Sequence, residues 1–147
     1  MRRRLEEGRE VRRITKEEAA RGAPPRAGTI AMDRLEAIDG TTWEAFLAAP
    51  WSVLMLGKSD CDHCNEYTQE LHEFLATDQV YGDIRFGKIL LDRGGLVSFK
   101  RANAWIAEID VLPYTLIYRA GEKVAEFAGG GIGRLESRLA RLRSEAD

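Results

Sequence analysis

Residues 51–57 read Trp-Ser-Val-Leu-Met-Leu-Gly, an apolar run without a charge and without alternation. A strand with one wet face alternates polar and apolar residues, whereas an unbroken run marks a strand covered on both faces. The chain around it must therefore supply cover above and below. With 147 residues and 44% hydrophobic content it is long enough for one domain with a sizeable core.

The flanking segments supply that cover in regular order. Ile30–Ile38 is expected to be a short strand. Thr41-x-x-Glu44 has the spacing of a capping box for a short helix carrying Trp43, Phe46 and Leu47, and Pro50 stops it. Beyond the run, Cys64, Tyr67, Leu71, Phe74 and Leu75 recur at helical spacing, opposite Glu66, Gln69, Glu70 and Glu73. Ile84–Leu91 is a second strand and Leu96–Ile109 a helix. Pro113–Tyr118 and Lys123–Phe127 form a hairpin about Ala120-Gly121, and Ile132, Leu135, Leu139 and Leu142 mark a last helix. The order is βαβαβαββα. Strands alternating with helices predict a largely parallel sheet with helices on both faces, and the hairpin adds antiparallel pairing.

Residues 1–29 differ in kind. Their large aliphatic side chains are Leu5, Val11 and Ile14, and Gly22, Pro24, Pro25 and Gly28 read as a linker. Thr15-x-x-Glu18 could cap a short helix that would bury little. We expect a flexible or loosely docked extension over 1–29 and one folded domain over 30–147. Residues 1–31 hold nine Lys/Arg against five Glu, a net of +4; residues 32–147 hold thirteen against nineteen acids, a net of −6. The main body thus lacks a nucleic-acid footprint. The basic start has no apolar h-region, and no stretch of 18 apolar residues occurs, so the expectation is a cytoplasmic protein without a membrane partner. A lasting structural disulfide would be unusual there.

The two cysteines, Cys61 and Cys64, stand where the apolar strand has ended and the next helix begins. The first N–H groups of a helix lack intrahelical partners and its macrodipole is positive there, which favours a thiolate by ~0.3–1 kcal/mol, up to ~2 in partly buried sites. Thiolate is the nucleophile in disulfide exchange. Cys61 is the better placed attacker. Cys64, one turn in and on the apolar stripe, suits the resolving role. A disulfide here closes a very small loop and adds little by loop entropy. Helical i,i+3 Cβ atoms lie ~5–6 Å apart, against ~3.5–4.5 Å in a disulfide. Both points favour redox traffic over a staple. Two inert core thiols are the plainer alternative. A structural zinc needs four ligands, and His72 lies about 12 Å along the helix from Cys64, so only a metal shared across a dimer stays open.

On these residues the chain resembles the thioredoxin superfamily. The resemblance covers about residues 30–147 and rests on the element order, on Cys61-Asp-His-Cys64 at a strand-to-helix junction, and on Val111-Leu112-Pro113-Tyr114-Thr115-Leu116 followed by a hairpin and Gly129-Gly130. It implies an α/β, thioredoxin-like fold, with a central mixed sheet flanked by helices on both faces. It implies a thiol-disulfide oxidoreductase acting through Cys61 and Cys64 on disulfide-containing protein or small-thiol substrates, with a reductase or thiol as electron donor. No organic cofactor and no metal are expected, and a monomer or weak dimer suffices. Pro113 matches the family's cis-proline, and Leu112 before it matches the residue whose backbone holds an extended substrate by strand addition. Lys88 matches a lysine of the next strand.

Three departures are visible. Asp60 stands where the family often has Trp. Met55 stands where thioredoxins proper have a buried acid, which leaves Lys88 without its usual partner, with Asp60 as a candidate substitute. His63 resembles the histidine of disulfide isomerases and periplasmic oxidases, where imidazolium stabilises the thiolate, while Asp60 and Asp62 oppose that effect. A non-catalytic or redox-sensing binding module on the same scaffold is the alternative these departures motivate.

Overall fold

The computed structural model describes residues 34–146. The expected extension over 1–29 and residues 30–33 of the first expected strand lie outside the described residues. In chain order the elements are β1 (Leu35–Ala37), α1 (Trp43–Leu47), β2 (Ser52–Gly57), α2 (Asp62–Thr77), β3 (Arg85–Leu90), α3 (Val97–Ala102), a 3-10 turn (Ala104–Glu108), β4 (Tyr114–Arg119), β5 (Glu122–Ala128) and α4 (Ile132–Ala146).

The five strands lie in the order β1-β3-β2-β4-β5. β3 pairs parallel with both β1 and β2, while β4 pairs antiparallel with β2 and β5. The apolar run is thus the central strand, and every residue of β2 is buried. Its alternate side chains feed two cores, as period-2 geometry requires. Val53 and Met55 join Phe86, Ile117 and Phe127 beneath Cys64, Tyr67, Leu71 and Leu75 of α2 and Leu135 and Leu139 of α4. Leu54 and Leu56 join Ile89, Leu116 and Tyr118 beneath Phe46 and Leu47 of α1, Phe99 of α3 and Ile106. The mixed sheet with helices on both faces is the architecture expected.

Two local expectations are corrected. The single helix over Leu96–Ile109 is broken at Asn103, whose backbone sits at φ −129°, ψ 62°. The Asn103 side-chain amide donates to the Phe99 carbonyl (2.9 Å), competing with the helical ladder as short polar side chains do. The cap before α1 starts at Asp39, not Thr41. Thr41 N–H donates to Asp39 Oδ1 (2.8 Å) and Asp39 N–H donates to Thr42 Oγ1 (2.9 Å), the reciprocal pattern of a capping box. A carboxylate is the stronger acceptor, and Thr42 at the helix N-cap makes no side-chain cap bond. Three arginines of α4 lie against aromatic rings. Arg134 and Arg138 lie over the Phe127 ring at 4.6 and 4.9 Å, and Arg143 lies 5.7 Å from the Trp51 ring.

The β4–β5 turn has Ala120 at φ 52° and Gly121 at φ 89°. Two positive φ values are what a two-residue turn needs to match the strand twist.

Candidate active site: the Cys61–Cys64 disulfide and the Leu112–Pro113 groove

Strand register brings the two sequence motifs together. Leu56, near the end of β2, is opposite Tyr114 at the start of β4. The segment just before Tyr114 therefore borders the loop that leaves β2. Cys61 Sγ lies 4.0 Å from the Leu112 carbonyl oxygen, and the Leu112–Pro113 peptide bond is cis. Pro113 is buried, Leu112 half-buried, and Val111 is 46% exposed.

Cys61 and Cys64 form a disulfide with a Cα–Cα distance of 5.2 Å. Cys61 is the N-cap of α2, with extended backbone at φ −105°, ψ 113°. It stands just outside the helix, so the ideal i,i+3 spacing of two helical residues does not apply and the sulfurs meet. Cys64 N–H donates to Cys61 Sγ at 3.1 Å. One of the amides of the first helical turn that lack an intrahelical partner is thus aimed at the Cys61 sulfur, where it would stabilise negative charge if the bond were reduced. Cys61 is half-buried and Cys64 fully buried.

Gly57 makes room for Cys64. A Cβ there would lie 3.3 Å from both Cβ and Sγ of Cys64, so the buried sulfur packs against bare strand backbone. Sequence reasoning gave no site role to Gly57, or to Tyr67, Thr115 and Gly130, which entered only as parts of a strand, a helical stripe and a motif. Thr115 is fully buried; its hydroxyl lies 3.4 Å from both the Tyr67 hydroxyl and the Gly129 carbonyl. Burial, the largest influence, and Glu70's charge push the Tyr67 phenol above its ordinary range against the Thr115 hydrogen bond and Arg134. Gly129 N–H donates to the Pro113 carbonyl (2.7 Å), and Gly130 lies flat against the Tyr67 ring. The run Gly129-Gly130-Gly131 was the one available signal: it packs the chain after β5 against the back of the groove, with Gly129 and Gly131 at φ 83° and 116°.

The other expected site residues are dispersed. Asp60 and Asp62 are exposed beside Cys61. His63 is 83% exposed, and its Nδ1 lies 3.6 Å from Glu66 Oε1. With Glu66, Tyr67, Val111, Leu112 and Pro113 it lines a groove of about 320 Å3. Lys88 lies opposite Met55 in register, but it lines, with Thr68 and His72, a separate cavity of about 490 Å3 that neither cysteine lines. Burial and then the Arg93 charge hold the Lys88 ammonium below its ordinary pKa. Asp60 does not line that cavity. Among the described residues no cluster of His, Cys, Asp and Glu could hold a metal ion, and no helix is long and apolar enough to cross a membrane.

Chemically, the arrangement presents one accessible sulfur at a helix N-terminus, a second sulfur bonded to it from within, and a groove with free backbone groups alongside. No protein-family model matches the sequence, and no curated protein matches it. Solved structures do. Thioredoxin f2 of Chlamydomonas reinhardtii is 24% identical, with a TM-score of 0.59 over 73% of this chain and 94% of that one. Oxidised thioredoxin O2 of Arabidopsis thaliana is 22% identical, with a TM-score of 0.58 over 75% and 95%. Thioredoxin f2 in complex with ferredoxin:thioredoxin reductase is 19% identical, with a TM-score of 0.60 over 74% and 94%. The chain has the thioredoxin fold, with a Cys-x-x-Cys disulfide at the start of α2.

Proposed function

We propose that this chain, as a protein of thioredoxin fold, is a thiol-disulfide oxidoreductase. The observation that carries the reading is the Cys61–Cys64 disulfide at the N-terminus of α2, with Cys61 accessible, Cys64 buried and the cis Leu112–Pro113 bond alongside. In the reduced form, the Cys61 thiolate attacks one sulfur of a substrate disulfide. A Cys61–substrate bond forms, and the other substrate sulfur leaves as a thiolate that takes up a proton. The buried Cys64, deprotonated, then attacks Cys61 Sγ. The Cys61–Cys64 bond forms and the second substrate thiol leaves. Two electrons have passed to the substrate, and the protein is in the oxidised state seen here.

Leu112 suits the docking role. Its N–H and C=O take no backbone partner among the described residues, so an extended segment can pair with them by strand addition. Regeneration requires a dithiol reductase or a small thiol. A structural neighbour has been captured with ferredoxin:thioredoxin reductase, which supports a reductase as donor. A reducing compartment such as the cytoplasm is the setting in which this cycle runs forward. Asp60 and Asp62 raise the cost of the thiolate and the Cys64 N–H lowers it; His63 is engaged by Glu66.

The test is insulin-disulfide reduction with a chemical dithiol as donor. Cys61→Ser abolishes turnover, and Cys64→Ser accumulates mixed disulfides. Undiminished turnover in Cys61→Ser would refute the reading. The measured potential then assigns direction: about −270 mV marks a reductase, and about −180 to −120 mV an isomerase or oxidase. Met55 in place of an acid and Lys88, which has no ion-pair partner among the described residues, favour a second reading, a redox-sensing binding module. It would show very slow reduction together with partner binding that changes on oxidation.

A further inference from the structure

The walls of the groove beside the disulfide carry a charge pattern that the exchange chemistry does not use. Two grooves meet along Val111. One, between α2 and the glycine run, is lined by Glu66 and Glu70. The other, between the 3-10 turn and β5, is lined by Glu108 and Asp110. Asp60 and Asp62 stand exposed beside Cys61. Glu66 is met by His63 at 3.6 Å. The other five carboxylates have no hydrogen bond or ion pair among the described residues. The neighbouring cations are engaged. Lys123 sits 3.8 Å from the Trp105 ring and 3.2 Å from Glu126. Arg134 donates to the Ala128 carbonyl and stacks on Phe127. On the opposite flank of Leu112 a further groove is lined by Lys58 and Lys100 together with Asp92 and Asp110, so its charges balance and the excess of negative charge lies on the Val111 side. Between the acidic walls lies an apolar floor of Val111, Leu112 and Pro113.

We propose that this groove selects a protein disulfide flanked by lysine or arginine. The extended segment pairs with Leu112 while its basic side chains reach the carboxylates on the Val111 flank. Unpaired carboxylates at the rim draw a cationic segment to the sulfur and repel an anionic one, chiefly through the association step. The proposal rests on the oxidoreductase reading and assigns that site its substrate class.

Three synthetic peptide disulfides, identical except for lysine, serine or glutamate on either side of the half-cystine, test it with the full-length protein. At low salt, kcat/KM should fall in the order lysine, serine, glutamate, with at least a tenfold span. The span should collapse at about 0.5 M salt, where the Debye length shrinks below ~5 Å. The double variant Glu70→Gln/Asp110→Asn should narrow it about threefold. Glu122→Gln/Glu145→Gln, at the hairpin turn and at the far end of α4, should leave it unchanged. Equal rates for the three peptides, or equal narrowing by the remote pair, would overturn the proposal. If no peptide is reduced, the oxidoreductase reading fails instead. Binding of cysteine-free versions then decides the charge question: tighter binding of the lysine peptide upholds the acidic docking surface, and equal binding refutes it.

Discussion

Gly130→Ala is the substitution that most directly probes how the groove is held. Unlike Gly129 and Gly131, Gly130 has no positive φ, so an alanine there meets no backbone strain. The conflict is one of space. Its Cβ would lie 2.6 Å from Tyr67 Cγ and 2.8 and 2.9 Å from the two Cδ atoms. Carbon atoms in contact sit ~3.5–4.0 Å apart, so about 1 Å of overlap must be relieved. Tyr67 has little room to yield: it is 2% exposed and its hydroxyl meets Thr115. Overpacking of this kind costs about 1–3 kcal/mol. For a domain of this size that converts to a Tm lowered by roughly 4–12 °C. Thermal and urea unfolding of the oxidised protein measure it. The cause is isolated by a double-mutant cycle with Tyr67→Leu, which removes the ring. The alanine should then cost at least about 0.5 kcal/mol less than in the parent. Turnover of disulfide substrate should also fall below the unfolding temperature, because Tyr67, Gly130 and Pro113 line one groove. A Tm within 1 °C of the parent, or an undiminished cost in the Tyr67→Leu background, would show that the contact does not hold the groove.

Two further outcomes follow from groups away from the cysteines. Burial, and secondarily the Glu126 charge, push the Tyr118 phenol up to about 12. A group raised above its ordinary value of 10.0 contributes stability that is complete below pH 10 and lost as pH climbs toward 12; urea midpoints at pH 9 and pH 11 should therefore fall less steeply in Tyr118→Phe. Asp39→Ala should lower Tm more than Glu44→Ala, since Asp39 and not the Thr41-x-x-Glu44 spacing caps the turn into α1; the reverse order would restore the original cap.

What could be read from the sequence was what depends on local pattern. The unalternating run 51–57 located the central strand because two-sided burial removes polar residues from a strand. The helical stripe from Cys64 to Leu75 located α2, and the two motifs, Cys61-x-x-Cys64 and Val111-Leu112-Pro113, stand side by side because the strands that carry them pair. What escaped depends on competition or on distance in the chain. Asn103 looked like one more helical residue, since hydrophobic spacing does not register an amide that bonds the backbone four residues earlier. Asp39 and Thr41 are both cap residues, and only the geometry of the turn chooses between them. Gly57, Tyr67, Thr115 and Gly130 support the site through contacts between α2 and segments distant in the chain, which no spacing rule encodes. Lys88 matched a position without its chemistry: the cavity it lines is not lined by the cysteines.

Cys61 occupies an unusual double post. The sulfur proposed to react is also the acceptor that ties down the first turn of α2. Helices are most often capped by a serine, threonine, aspartate or asparagine whose oxygen takes part in no bond-making. In the proposed cycle this cap would pass between a neutral bridged sulfur, an anion and a sulfur bonded to a substrate. Each state grips the Cys64 amide differently, the anion most strongly. In the proposed cycle the end of α2 would tighten and loosen once per turnover, and a partner that touches only this turn, and no sulfur, would still tell a charged protein from a spent one.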